Sequence, residues 1–502
     1  VALHLVAVGA ALWIAQRRGG RRLCLLTGAL LAVLLRFYGP TLLTEPWNPY
    51  LPMLWWVVFL LAVWSVVEDD LALLPVMVVS GSLCAQTHVS YAGLVGGLAA
   101  TATATVLVRT VRERRRGAPS RRTWSWLAVA SAAGAVVWLP PVLDELKEGR
   151  GNLSLLVDYF RDAPEASLGL RRALELLLAN LDPWRLLFGH ADAKVVLQST
   201  GWSVGGLVFV AAWLVAVAVA WRIRAASLLR LHALVAITLV LGVVSTSRIF
   251  GPSWAWLMQW SWGFMVVASI AIGATAVSAL TDRLALDRRP GVRAIAIGGL
   301  AAVALGSVVA AAVDARDVEP DDVASGTVLR QFVPATLEAI DADGGPYLVT
   351  WADPIGVVGD LQAFGLVNEL DRAGVSVGVV PEQRLRAAPY LTLDPSEAAA
   401  VVRVVTGQAI EVWDARPDAR RISLYDPRSD DERAQQASLR AEIDAELVAL
   451  GLPELIDQVD TSFVGAIFTF SSDPRVPDAL VRKLERTLAL GIPSAVFLTT
   501  SL

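Results

Sequence analysis

Over residues 1–313 apolar residues come in long unbroken runs separated by short charged segments; from residue 314 polar and apolar residues alternate in short blocks. Crossing a bilayer takes about 20 apolar residues in a helix, with a range of about 17–25. The runs 1–16, 23–38, 51–67, 71–87, 89–108, 123–140, 203–221, 231–247, 252–280 and 294–313 therefore read as helical spans, about ten in all. The run 23–38 is short enough to be tilted or partly re-entrant, and 71–87 and 89–108 share a tight turn at His88. The expected fold is an α-helical polytopic membrane domain, 1–313, with a long loop at 141–202, followed by a soluble α/β domain, 314–502.

Composition sharpens this picture. Hydrophobic residues make up 55% of the 502, charged residues 18%, and the mean hydropathy is +0.54. Soluble domains are about 45–50% apolar and about 25% charged, so a cytosolic enzyme, a disordered chain and a disulfide scaffold are all excluded. Cys24 and Cys84 lie in apolar runs and read as small buried hydrophobes. The four histidines form no metal-binding motif. No cofactor is called for, although a divalent cation stays open. The excess of arginine over lysine, with abundant Ala, Val and Gly, points to a GC-rich bacterial genome.

Charge separates the two regions. Residues 1–313 hold 27 Lys+Arg against 16 Asp+Glu, and residues 314–502 hold 16 against 31. Within the first region 18 of the 27 basic residues fall in four segments, 17–22, 109–122, 221–231 and 282–293. Short basic loops between spans are the signal of a cytoplasmic side, and this reading is preferred to nucleic-acid binding. The loops 37–50, 141–202 and 248–251 and the tail 314–502 then face outward, across a plasma membrane. The first run must descend from outside to reach Arg17, and no charged segment precedes it. The expectation is that a further span and its outer loop lie upstream of Val1.

The outer loops carry the candidate chemistry. The first holds Arg36, Glu45, Trp47 and Asn48, a carboxylate beside an aromatic platform of the kind that handles sugars; aromatics are also simply enriched at membrane interfaces. Gln86-Thr87-His88-Val89-Ser90-Tyr91 sets polar groups at a turn between apolar helices, either lining a cavity or capping the turn. Ser245-Thr246-Ser247-Arg248 ends a span just before Gly251-Pro252. Arginine suits a phosphate, and a side chain snorkelling to headgroups is the rival. Ser167–Trp184 reads as an interfacial helix or as a plain loop-covering one. Glu68-Asp69-Asp70 reads as a solvated cluster at a helix start.

In order and content these features resemble the GT-C membrane glycosyltransferases, in particular the actinobacterial, dolichyl-phosphate-mannose-transferase-like branch. The likeness is carried by Gly39-Pro40, Trp47-Asn48-Pro49-Tyr50, Gln86 to Tyr91, Trp138-Leu139-Pro140-Pro141 with Gly151-Asn152-Leu153, and Ser247-Arg248 with Gly251-Pro252. It implies transfer of a sugar from a polyprenyl-phosphate carrier to an extracytoplasmic acceptor, by a carboxylate in the first outer loop after the first span. That loop would precede Val1, so no residue inherits the role, and Glu45 is a weak substitute. Arg248 would hold the phosphate; Arg36, Trp47, Asn48, Gln86 and His88 would shape the substrate site. Membrane lipid and the lipid-linked donor are the implied partners, with no nucleic acid. A flippase for lipid-linked glycans and a non-catalytic assembly partner are the competing functions; a flippase calls for polar residues deep in several spans, where this chain has Ala, Val and Leu.

The tail predicts strands at 346–351, 375–380, 409–413, 422–425 and 463–470 and helices at 358–371 and 433–450. It shows no phosphate-loop or nucleophile motif, and Asp353, Asp360 and Asp414 read as solvated loop acids.

Overall fold

The structure is a computed structural model. It describes all residues except 117–120, 149–150, 164, 190–200, 252, 285–289, 318–322, 342–343, 352–356, 384–386, 462, 474 and 501–502. Asp353, part of the long loop 141–202, part of the basic segments 109–122 and 282–293, and Pro252 thus lie outside the described residues. The chain divides into two compact units, Val1–Val318 and Glu319–Leu502.

The first unit is a bundle of helices. Among the described residues six helical segments are long and apolar enough to cross a membrane, between Val89 and Asp314, and two shorter apolar ones cover Leu51–Val67 and Leu71–Thr87. The first two apolar runs form one assigned helix, α1 (Ala2–Tyr38), whose backbone leaves helical geometry at Gly19 and Gly20. Gly20 has φ 63°, a region that a residue without Cβ enters cheaply. A Cβ built on Gly28 would lie 3.5 Å from Leu12. The two arms therefore face each other as a hairpin.

The centre of the bundle is α2 (Leu51–Val67). Its sequence LPMLWWVVFLLAVWSVV is apolar on every side, and every residue from Pro52 to Val66 is buried, as expected of a helix with no polar face. Around it pack α1, α3 (Leu74–Thr87) and α4 (Ala92–Arg115). Next come α5 (Arg121–Glu148), α6 (Asn152–Arg161), α7 (Gly169–Asn180), α8 (Pro183–Phe188), α9 (Val204–Arg222) and α10 (Ala226–Ser247). α11 (Trp260–Leu284) and α12 (Pro290–Asp314) complete the unit. Both α10 and α11 also touch α2. α5 and α12 leave most of their apolar side chains uncovered, Val136, Leu139, Ile295 and Leu305 among them. Apolar surface of that extent on a soluble monomer would be anomalous; on membrane-crossing helices it faces hydrocarbon. The segment expected to be an interfacial helix is α7, and its leucine face is packed against α9 and α10.

The second unit contains a five-stranded sheet of order β2-β1-β3-β5-β4. The strands are β1 (Tyr347–Trp351), β2 (Val377–Gly378), β3 (Ala400–Thr406), β4 (Ala419–Tyr425) and β5 (Ser494–Thr499). β2, β1 and β3 are parallel, and β5 runs antiparallel to both its neighbours. Helices α13 (Val323–Ala339) and α14 (Val357–Arg372) bury Phe332 and Leu366 with Val349, Val402, Val404 and Val496 on one face. On the other face α15 (Ala409–Asp414) sets Ile410 and Trp413 on Val405, Ala495 and Phe497. A separate apolar cluster joins α16 (Asp430–Ala449), α17 (Ile456–Thr461), α18 (Phe463–Ser472) and α19 (Asp478–Ala489).

Two predicted strands are helices. Residues 409–413 belong to α15, where Ile410 and Trp413 are buried one turn apart. Residues 463–470 belong to α18, where Ala466 and Phe470 share a buried face at i, i+4. Short apolar runs satisfy both periods, and a partner surface decides between them. The two central strands β3 and β5 were not anticipated at all.

Candidate functional site

The bundle has two ends of different construction. At the arginine-rich end, the expected solvated cluster Glu68-Asp69-Asp70 is instead an ion-pair hub following α2. Arg17 grips Asp70 with Nε and Nη2 at 2.5 and 2.9 Å. Glu68 Oε2 receives Arg230 at 2.7 Å and Arg18 at 3.5 Å. Arg109 reaches Asp69 at 3.9 Å and donates to the Val67 carbonyl at 2.5 Å. The Glu68 side chain is 9% exposed, too little for a solvated carboxylate. Three segments expected on one side of a membrane, carrying Arg17, Arg109 and Arg230, thus converge on one acidic turn. The Arg17 hydrogen bond holds the Asp70 carboxyl below the usual carboxylate range.

The opposite end gathers the candidate site residues. α10 ends at Ser247, and Arg248 to Phe250 turn away from it. There Phe250 forms an antiparallel bridge with Ser167. Leu168 donates to the Ile249 carbonyl at 2.9 Å, and Gly251 donates to the Ala166 carbonyl at 3.2 Å. Gly251 has φ 72°, and a Cβ there would lie 1.4 Å from Glu165 Oε2. The left-handed backbone favours glycine here, and any Cβ would also push the exposed Glu165 carboxylate aside. The latch ties the chain after α6 to the chain after α10.

Beneath the latch is a cavity of about 420 Å³ between the start of α4 and the end of α10. Its lining is mostly apolar: Tyr159 and Phe160 from α6, Leu241 and Val244 from α10, and Phe250, Leu257 and Trp260 beyond it. The polar exceptions are Ser90, Ser245, Thr246 and Arg248. Tyr159 and Phe160 stand 6.1 and 6.2 Å from the Phe250 ring, and the Arg248 guanidinium lies 5.8 Å from the same ring. Arg248 is exposed at the cavity lip.

His88 reaches this site through Ser90. It caps the turn between α3 and α4, with Nδ1 2.8 Å from Ser90 Oγ and the Ser90 amide donating to the same nitrogen at 3.4 Å. Burial lowers its pKa from 6.5 to about 4, so it is neutral at neutral pH and accepts at Nδ1. Gln86 faces α5 instead, donating from Nε2 to the Val137 carbonyl at 3.0 Å, beside Trp138, which donates to Ser82 at 2.9 Å.

The first outer loop forms a separate group. Trp47, 39% exposed, stands edge-on to Tyr50 at 4.8 Å and to Trp256 at 5.9 Å. Trp256 stacks on Trp254 at 4.8 Å and 5°. Asn48 is exposed beside Trp47, and Glu45 is half-buried. Arg36 donates from Nη2 to the carbonyls of Leu186 and Gly189 at 2.9 and 3.2 Å, closing the end of α8. Of the predicted site residues, then, only Arg248 lines the cavity and His88 adjoins it. Trp47 and Asn48 sit in the aromatic group, while Arg36 and Gln86 tie helices together.

Sequence reasoning passed over Glu165, Tyr159, Phe160 and Trp260. The break at Gly251-Pro252 marked the place, but a two-residue bridge to Ser167 has no sequence signature. Among the described residues no group of three or more His, Cys, Asp or Glu is arranged to hold a metal. Comparison of the chain with known protein families and with curated proteins gives no match.

Proposed function

We propose that the first unit is a plasma-membrane protein that binds a polyprenyl-phosphate sugar and transfers the sugar to an extracytoplasmic acceptor. In this reading the two arms of α1, α2 and α3 join the six longer helices, for about ten spans. The cavity under the Arg248 latch is the observation that carries the reading. Its aliphatic and aromatic wall suits an isoprenoid chain, and the arginine and hydroxyls in its lining suit a phosphate. In the reaction the acceptor oxygen bonds to the sugar C1 as the bond from C1 to the phosphate oxygen breaks. The acceptor proton passes to a carboxylate, and the polyprenyl phosphate leaves against Arg248. Glu165, packed on Gly251, and Glu45 are the candidate bases within this chain.

The test is binding of a short-chain polyprenyl-phosphate sugar to the purified full chain at fixed salt. Arg248→Ala should lose about 1.5–3 kcal/mol, the range for hydrogen bonds to a charged group. Lys keeps the charge without the fork, so Arg248→Lys should fall between. Equal affinity in all three proteins would reduce Arg248 to a snorkelling side chain and sink the proposal.

A second reading, a non-catalytic binder of the same lipid, is favoured by one observation: the described lining contains no carboxylate. Release of polyprenyl phosphate from the donor separates the two. Transfer lost in Glu165→Gln or Glu45→Gln, with donor binding kept, would identify the base; no turnover by the native chain would favour the binder. Orientation is tested by cysteines at Ser325 and Ser471, which should react with an impermeant reagent in intact cells. Labelling only after lysis would put the tail inside.

A further inference from the structure

Across the sheet of the second unit, Thr350, Arg403, Phe497 and Arg421 lie side by side in register, so they share the face that α15 covers. Trp413 of α15 packs over this row, 5.9 Å from Phe497. Two guanidinium groups lie against its ring, Arg403 at 4.6 Å and Arg416 at 4.3 Å. Arg416 is neutralised by Asp418, with hydrogen bonds of 3.1 and 2.8 Å, and Arg421 pairs with Asp414. Arg403 differs from both. Among the described residues no carboxylate pairs with it, and its Nε is buried without an acceptor. Its strand neighbour Thr350 is 8% exposed, and the Thr350 hydroxyl is likewise buried without a hydrogen-bond partner.

Buried polar groups nearly always have partners, yet the Arg403 Nε and the Thr350 hydroxyl are both buried without one. They belong to a half-buried arginine and a buried threonine paired across one sheet face, in a region whose overall charge is strongly acidic. Burial and the neighbouring Arg416 both push the Arg403 pKa down, the opposite of what a carboxylate partner would do. Among the described residues no carboxylate offsets the Arg403 charge. The chain order adds a second argument. α14, which follows β1, packs on one face, and α15, which follows β3, packs on the other. Parallel strands whose following helices diverge in this way open a ligand crevice beyond their carboxyl ends, and Thr350 stands one residue before the end of β1.

We propose that Arg403 and Thr350 form a binding site for a single oxyanion group, a phosphate or a carboxylate carried by a sugar. The Arg403 fork supplies two parallel N–H donors and the Thr350 hydroxyl a third, while the Trp413 ring beneath the guanidinium holds it in place. The site is separate from the membrane cavity and does not depend on the transfer reaction.

The test is calorimetric titration of the purified full chain with inorganic phosphate and, separately, with glucuronate. An Arg248→Ala background keeps the membrane cavity from contributing. Saturable binding of one equivalent of either anion is expected; phosphate alone would point to a phosphorylated ligand and glucuronate alone to an acidic glycan. Arg403→Gln should weaken binding about tenfold or more, since hydrogen bonds to charged groups are each worth at least one such factor. Thr350→Val should weaken it a few-fold, and Arg403→Lys should fall between wild type and Arg403→Gln. Arg372→Gln, at an exposed arginine paired with Glu369, should bind as wild type does. No saturable binding of either anion would overturn the site, as would wild-type affinity in both the Arg403→Lys and Thr350→Val proteins. The last two variants keep the test decisive if Arg403→Gln does not fold.

Discussion

The two ends of the helical unit meet the same problem, holding loops from distant parts of the chain, by opposite means. At one end the joints are charged: three acidic residues in a row, Glu68, Asp69 and Asp70, receive four arginines from α1, α4 and α10. At the other end the joints are a short backbone ladder between 166–168 and 249–251, aromatic edges, and single hydrogen bonds to carbonyls. Ion pairs to one small hub draw α1, α4 and α10 together at their end. A ladder of two residues carries Tyr159 and Phe160 over α4 and α10 and leaves space beneath it. The lesson is that the acidic turn can bear three charges because each meets an arginine, while the cavity at the other end keeps one exposed arginine at its lip.

The largest effect expected from breaking this contrast is at Glu68. Glu68→Gln removes the shared partner of Arg18 and Arg230. Thermal or denaturant unfolding of the full chain should show a loss of about 3 kcal/mol, the low end for removing one member of a buried pair, because Arg230 is half-exposed. A loss under about 1 kcal/mol would mean that the hub behaves as a surface ion-pair network.

At the cavity end, Gly251→Ala should cost about 1–2 kcal/mol from the left-handed backbone alone, and it also displaces Glu165. Donor binding should fall with it. Unchanged stability and binding would show that the latch does not hold the cavity.

The pH dependence of the two ends should separate. Asp70 has a lowered folded pKa, so its contribution is full above the unfolded carboxylate range and is lost as pH falls through the lowered value. His88 is a base lowered to about 4. Below about 6.5 the unfolded chain takes up a proton that the folded chain refuses, so stability declines between pH 6.5 and 4 and is full above. His88→Gln should reduce that slope and leave the more acidic transition in place; His4 and His232, also buried, can supply what remains. A slope that persists undiminished in His88→Gln belongs to another group.

The smallest expected effect is Gln86→Leu, which deletes one hydrogen bond to the Val137 carbonyl and should cost about 1 kcal/mol in unfolding measurements. A larger loss would give the contact between α3 and α5 a role beyond that single bond.

The contrast between the ends was partly legible in the chain. Arg17, Arg109 and Arg230 were grouped by topology alone, because basic loops mark one side of a membrane domain. That grouping could not reveal their partner. Glu68-Asp69-Asp70 looks like any solvated acidic turn until α1, α4 and α10 are brought against it. Arg248 was legible because an arginine at the end of an apolar run, beside hydroxyls and a Gly-Pro break, is a local pattern. Glu165 and Phe160 were not, since what gives them meaning is a bridge across more than eighty residues of chain. In the tail, the helices 358–371 and 433–450 followed from apolar spacing. β3 and β5 passed unread, and 409–413 and 463–470 were assigned to the wrong period.

By itself the sequence determined where apolar runs lie, that they are too many for a water-soluble core, where the acidic second region begins, and which turns carry polar groups. These are properties of composition and short-range order, and the hydrophobic effect acts on them wherever the chain goes. Only the tertiary structure decided that α2 is the buried axis, that the two runs before residue 39 fold back on one another at Gly19 and Gly20, and that Arg36 and Gln86 bond to carbonyls while Arg248 stays at the cavity. It also decided that Arg403, alone of three arginines around Trp413 and Phe497, has no carboxylate partner among the described residues. The physical reason is common to all four: a side chain's role depends on which partner reaches it first, and partners far apart in sequence are set by packing, which no local pattern encodes.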